Sequence, residues 1–252
     1  MFFLKQSLFL SDAARGTVSL LFCCVLIFLY PSRGFSKTAP LSQDLLDAGE
    51  LVVKSDIILR SFLEDSDMEW FRGNIGTARG VFIVPQMLRG TFLIGSSRGS
   101  GVLLARDPAT GKWSYPGFYA IDSVSTGLQI GADASEIIFL IMTEQGMNAM
   151  LSPEFKIDSR IDSQIMVAAG TIGDGPPQDS ADILAFARSM RGIINGVSLG
   201  GAVITPRSSL NTAYYGRTVS LEDILVRQRA SNYKAESLRR RIATAPKEPV
   251  LY

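Results

Sequence analysis

Six short apolar runs decide the fold: GVFIVP (80–85), TFLIG (91–95), GVLLAR (101–106), FYAID (118–122), GLQIG (127–131) and EIIFLIM (136–142). Glycine breaks the text between them, and such punctuation at close spacing reads as β-strands joined by tight turns. Asp107-Pro108-Ala109-Thr110-Gly111 is the clearest turn, because proline fixes φ and glycine admits φ > 0. Strand-like text resumes at 165–169, 183–188 and 197–205. The connections are too short for βαβ crossovers, so the sheet is expected to be antiparallel.

Working outward, residues 41–63 carry a helical period. Leu45, Ala48, Val52, Leu59 and Phe62 recur at helical spacing, and Leu46, Val53, Ile57 and Leu63 widen the stripe. Ser42, Asp44 and Asp47 suit a helix start, where unpaired N–H groups favour oxygen and negative charge. Acids dominate from 41 to 69, with only Lys54 and Arg60 against them. Residues 144–151 read as a short helix ended by Pro153, and GTIGDGPPQD (170–179) as a loop. Helical text returns over 218–245, with Asn232 a point of interruption. The expected fold is therefore α+β: an N-terminal helix, an extensive antiparallel β-sheet of barrel or sandwich type, and a C-terminal helical tail.

Composition narrows the function. The chain has 252 residues, 46% hydrophobic and 19% charged, which is the make-up of a folding chain. Its net charge of +1 argues against nucleic acid bound across the surface. No histidine occurs anywhere, which excludes Ser-His-Asp and Cys-His catalysis, His-ligated zinc and two-His iron in their usual forms. No cofactor is implied.

The two cysteines, Cys23 and Cys24, lie in VSLLFCCVLIFLY (18–30), which is uncharged, follows Lys5 and Arg15, and is followed by Gly34 and Ser36 in a small-x-small pattern. That is the form of a secretory signal peptide, here residues 1–36 with cleavage before Lys37. A transmembrane helix needs about 20 apolar residues, so an uncleaved anchor is the second reading. Export places the protein in a periplasm or cell envelope, with no cysteine left for a disulfide. The expected domains are 1–36, a binding domain over 37–225 and a basic helical tail over 226–252.

Two windows fit the nucleophile pattern G-x-S-x-G, centred on Ser97 and Ser198. The motif works at a strand-to-helix elbow with a histidine to take the proton; strand text follows both windows, and both read as glycine-rich turns. Gly173-Asp174-Gly175 precedes two prolines rather than a helix, so it is no dinucleotide fingerprint. Asp174, Asp179 and Asp182 lack the EF-hand spacing. Cations, in contrast, are unevenly placed. Arg72, Arg79, Arg89, Arg98, Arg106 and Lys112 meet only Asp107 in their segment, and the tail adds Arg217, Arg227, Arg229, Lys234, Arg239, Arg240, Arg241 and Lys247. Each cation at an anionic membrane contributes about 1 kcal/mol. The alternative is that these arginines balance the acidic first helix.

The ordered blocks Glu69-Trp70-Phe71-Arg72, Ala78-Arg79-Gly80 through Gln86, Gly99-Ser100-Gly101 through Arg106, Trp113-Ser114-Tyr115-Pro116, Gly127 to Gly131, Val167 to Gly170 and Gly196-Val197-Ser198-Leu199 with Tyr214-Tyr215-Gly216 resemble the SYLF domain. That family is also called DUF500 or the yeast actin-patch type, and the resemblance spans 41–225. It implies non-enzymatic binding of anionic phospholipids, phosphoinositides in eukaryotic members. Without an SH3 or FYVE segment, the chain looks like the bacterial, envelope-resident form, for which actin is an implausible ligand. Ser198-Leu199-Gly200-Gly201 departs from the family's Ser-Leu-Glu-Gly, and Met190-Arg191-Gly192 from its Lys-Gly. The lipid contacts expected are Arg72, Arg79, Arg89, Arg98 and the tail's Arg239, Arg240 and Arg241. A scaffold that binds an acidic protein through the tail is the alternative, and a hydrolase using Ser97 or Ser198 is third.

Overall fold

The computed structural model describes residues 42–89, 95–125, 134–157, 165–169, 181–189 and 201–246, all within the second of two units, Leu41–Tyr252. Residues 1–36, expected as a signal peptide, the run 127–131, residues 170–179, expected as a loop, and Ser198 lie outside the described residues.

Helix α1 (Gln43–Glu64) starts where the sequence indicates: Ser42 caps it, its hydroxyl accepting from the Leu45 N–H at 3.3 Å. Its buried side is Ala48, Val52, Ser55, Ile58, Leu59 and Phe62. A 3₁₀ turn (Ser66–Met68) and α2 (Glu69–Ile75) lead into the sheet.

The sheet has eight strands: β1 (Gly80–Arg89), β2 (Gly95–Ala105), β3 (Gly117–Ser125), β4 (Ala134–Ile141), β5 (Phe155–Lys156), β6 (Ile165–Ala169), β7 (Ile183–Ser189) and β8 (Val203–Pro206). Their order is β5-β8-β3-β2-β1-β4-β7-β6. Neighbours are antiparallel except β6 and β7, which are parallel. The extensive antiparallel sheet expected from the short connections is found, with one parallel pair at its edge, where residues 170–182 give the dozen or so residues a parallel return requires.

Strand β2 corrects a second expectation. The window 95–99 is no turn but lies inside a strand that runs unbroken to Ala105, with Ser97 opposite Ser123 and Arg89. Its glycines are needed for close approach: a Cβ on Gly101 would sit 2.4 Å from the Ile83 carbonyl oxygen, and one on Gly99 2.9 Å from that of Gln86. Facing them, β1 shifts register around Pro85 against both neighbours. Proline cannot donate to the ladder, so in a central strand it takes a bulge, and bulges bend sheets.

Alternate residues face two cores. On the first face Val81, Ile83, Val102, Leu104, Ile138 and Phe186 pack against α1, α4 (Ser208–Tyr215) and α5 (Glu236–Ala243). On the second, Phe82, Val84, Leu103, Tyr119, Ile137 and Phe139 pack with Met150 of α3 (Glu144–Leu151) and with Ile224 and Leu225. Asn211, buried in α4, accepts from the Phe118 N–H at 3.0 Å and donates to the Arg207 carbonyl at 3.2 Å, tying α4 to β3.

The C-terminal segment is broken rather than continuously helical: a π turn (Glu222–Val226), a 3₁₀ turn (Tyr233–Ala235), then α5. Gln228 adopts φ 50, a left-handed conformation that ends the first piece. The Asn232 side chain accepts from the Lys234 N–H and donates to the Tyr214 carbonyl. Ile224 and Leu225 lie on the second face, whereas Leu238 and Ile242 are buried on the first. The segment therefore wraps one end of the sheet and is part of the packed body. Leu238 and Ile242, 0% and 3% exposed, are core residues and are not available to enter a headgroup layer.

Candidate functional site

The cations that sequence groups together are divided between the two ends of the sheet. At the end where β1 begins, the Arg106 N–H donates to the Arg79 carbonyl at 2.7 Å, and Arg106 bridges to Trp113. The Arg106 guanidinium donates to the Gly76 carbonyl at 2.9 Å, so its charge is held over the end of α2. The turn between β2 and β3 is self-braced: the Asp107 carboxylate accepts from the N–H groups of Ala109 and Thr110 at 2.7 and 3.0 Å. Those backbone donors, Thr110's first, hold the Asp107 carboxyl below its ordinary range. Gly111 takes φ 68, which completes the turn and sets Lys112 outward.

The wrapping segment brings more cations to this end. Gln228 donates to the Lys112 carbonyl at 3.2 Å, and Arg217 to the Arg229 carbonyl at 3.2 Å. Arg239 lies 4.6 Å from the Tyr115 ring centroid and donates to the Trp113 carbonyl at 3.4 Å. Glu236 answers it at 3.1 Å and also accepts from the Tyr115 hydroxyl at 3.0 Å. Burial would raise the Glu236 carboxyl, but the Tyr115 and Arg239 hydrogen bonds and the charges of Arg239 and Arg240 outweigh it and keep it low. Among the described residues no salt bridge holds Arg79, Arg106, Lys112, Arg217, Arg229 or Arg240. Of these, Arg106 lines a shallow depression with Gly76, Gly111, Trp113, Ile242 and Ala243.

The other expected contacts lie elsewhere. Arg89 ends β1 at the opposite end of the sheet, and Arg98 pairs there with Asp122 at 2.6 Å across β2 and β3. The latter is an exposed surface pair and contributes little. Arg72 donates to the Asp65 carbonyl. On α5 the three consecutive arginines diverge, as about 100° per residue requires. Arg239 turns to Tyr115, Arg241 pairs with Asp56 of α1 at 2.5 Å, and Arg240 is exposed. Of the seven residues, Arg79 and Arg239 share one end of the molecule, with Arg240 beside them on α5.

Sequence reasoning gave no role to Arg188. It donates to Glu136 at 2.6 Å, to Asp65 at 3.0 Å and to Ser61 at 2.8 Å, and lies 4.8 Å from the Phe62 ring centroid. Arg106 and Lys112 were noted only as part of a charge run; their position on either side of the 107–111 turn was the available signal. Ser97 sits between two strands and not at an elbow. Asp182 accepts from the Thr143 hydroxyl, and no group of metal-ligating side chains occurs among the described residues.

Residues 122–245 match the family described as "Ysc84: Las17-binding protein actin regulator". The chain is similar to the Ysc84 (SYLF) family over these residues. The match takes in the wrapping segment and α5, consistent with their place in the core. Among curated proteins, the human SH3 domain-containing YSC84-like protein 1 is 27% identical over 169 residues, covering 65% of this chain and 48% of the relative. The Xenopus laevis protein of that name is 28% identical over 148 residues, covering 57% and 42%. LAS seventeen-binding protein 3 of Saccharomyces cerevisiae is 27% identical over 155 residues, covering 59% and 32%. The chain thus spans half or less of the length of these relatives.

Proposed function

We propose that this chain is a non-catalytic protein that binds anionic phospholipid surfaces, and that the end of the sheet bearing Arg79, Arg106, Lys112, Arg239 and Arg240 faces the lipid. One observation carries the reading: the wrapping segment brings Arg239 and Arg240 to the end of the sheet where Arg79, Arg106 and Lys112 lie, and among the described residues only Arg239 of these five is held by a salt bridge. Asp107 spends its lone pairs on its own turn, and Glu236 on Arg239 and Tyr115. Several unanswered cations on one surface, each worth about 1 kcal/mol near anionic lipid, suit a broad charged layer. Arg239, Arg98 and Arg241, in contrast, are engaged by Glu236, Asp122 and Asp56.

The hydrophobic run 18–30 supports export to a cell envelope, where the surface would be that of an envelope membrane. The yeast relative's name and the family description speak of binding Las17, so a protein ligand is the second reading; the same cationic end would then meet an acidic segment. Co-sedimentation with vesicles of neutral lipid alone and with added anionic lipid separates the two. Pelleting that requires the anionic lipid and weakens with salt is the result expected for lipid binding.

A further inference from the structure

Helix α1 carries a feature that lipid binding does not use. Its outward face runs Leu46, Glu50, Val53, Ile57, Arg60, Glu64, all exposed, at spacings of four and three in alternation. That is the spacing of a coiled-coil seam. Three of the six are large apolar residues: Leu46 is 48% exposed, Val53 57% and Ile57 50%. Solvent-facing helix positions need no such residues, and half of the large apolar side chains most exposed on the described surface belong to this one stripe.

We propose that this seam pairs with the same seam of a second copy, antiparallel and about a two-fold axis. A two-fold contact must be self-complementary, and this one is. Setting Val53 opposite Ile57 of the partner subunit brings Glu50 opposite Arg60 of the partner subunit, and the symmetry repeats both pairs. The centre is then four aliphatic side chains and each flank an opposite-charge pair. Leu46 falls opposite Glu64 of the partner subunit, against its aliphatic stem. Lys54 holds Glu50 at 2.7 Å within the helix, so the carboxylate would be shared between Lys54 and Arg60 of the partner subunit. An anionic membrane is a poor occupant of this face, because Asp47, Glu50 and Glu64 would point at its headgroups. A dimer joined here leaves Arg79, Arg106 and Lys112 of both copies exposed.

The test is sedimentation velocity of the full chain over a concentration series, with charge-swap variants. The wild type is expected to shift from monomer to dimer with concentration. Glu50→Arg alone and Arg60→Glu alone should each weaken dimerisation by about tenfold, since each removes two equivalent pairs. The double variant E50R/R60E rebuilds both pairs with reversed sign and should recover the wild-type constant, which also shows that the helix still folds. A wild type that stays monomeric at the highest concentration overturns the proposal, as does a double variant no better than the single ones. Loss of pelleting with anionic vesicles in Val53→Glu, with the wild type monomeric throughout, would assign the stripe to a membrane instead and equally overturn it.

Discussion

Arg241, on the last helix, reaches Asp56, on the first, at 2.5 Å and 3.3 Å, across 185 residues of sequence. Ser237, one turn earlier on α5, donates to the same carboxylate at 2.8 Å. Both ionic side chains are mostly covered, with 29% and 20% of their surface exposed. The contact ties the C-terminal segment to α1 while Leu238 and Ile242 fill the core beneath it. A change at Arg241 is therefore a change in stability before it is a change in surface charge. Arg241→Gln should cost about 1–2 kcal/mol, the worth of a charge-assisted hydrogen bond. Thermal denaturation would show this as a fall of about 2–8 °C.

The same carboxylate gives the protein an acid limb. Burial pushes the Asp56 carboxyl up, but the Arg241 and Ser237 hydrogen bonds and the charges of Arg241 and Arg60 outweigh it and hold it below its ordinary 3.8. A carboxyl lowered on folding contributes stability that is present above its unfolded pKa and lost as pH falls through the folded one. Wild-type stability should drop on acidification below about pH 4. Asp56→Asn should be less stable at neutral pH and lose less over that range; parallel acid limbs in urea titrations would contradict the assignment.

Arg188 joins β7 to β4 and to the end of α1, and its partner Glu136 is 8% exposed. Removing the guanidinium leaves a buried carboxylate without its counter-ion, the costly way to break a pair. Arg188→Met should destabilise by about 3–5 kcal/mol, whereas the double variant R188M/E136L should recover much of that loss. Chemical denaturation of the three proteins reads both.

Two glycines should respond oppositely to alanine. Gly101 has no room, its added Cβ falling 2.4 Å from the Ile83 oxygen and 2.6 Å from the Phe82 ring. Gly101→Ala should unfold the protein or destabilise it severely. Gly49, on α1, has nothing within 4 Å of such a Cβ, and Gly49→Ala should stabilise by up to about 1 kcal/mol through helix propensity.

What sequence revealed depended on how local the cause was. The α1 stripe was legible because Ala48, Val52, Leu59 and Phe62 repeat at a helix's own period, and α3 because Pro153 closes it. Strand β2 was misread at 95–99 because Gly99 answers Gln86 and Val84 on the neighbouring strand, contacts no local window contains. Likewise the 239–241 arginines were legible as charge, but Asp56 and Tyr115, which occupy two of them, are far away in the chain. The parallel β6–β7 pair was not legible because short connections elsewhere suit antiparallel neighbours, and 170–182 is the long exception.

The most direct measurement compares the two ends of the sheet. Arg79, Lys112 and Arg240 make no salt bridge among the described residues, whereas Arg98 at the far end pairs with Asp122. The triple variant R79Q/K112Q/R240Q and the single variant Arg98→Gln are titrated with vesicles containing anionic lipid at low salt. The triple variant should lose about 2–3 kcal/mol of binding, at about 1 kcal/mol per cation as the ceiling, with the difference shrinking as salt shortens the Debye length towards about 8 Å. Arg98→Gln should bind as the wild type does. Wild-type affinity in a folded triple variant, or an equal loss from Arg98→Gln, would contradict the placement of the lipid surface at the wrapped end of the sheet.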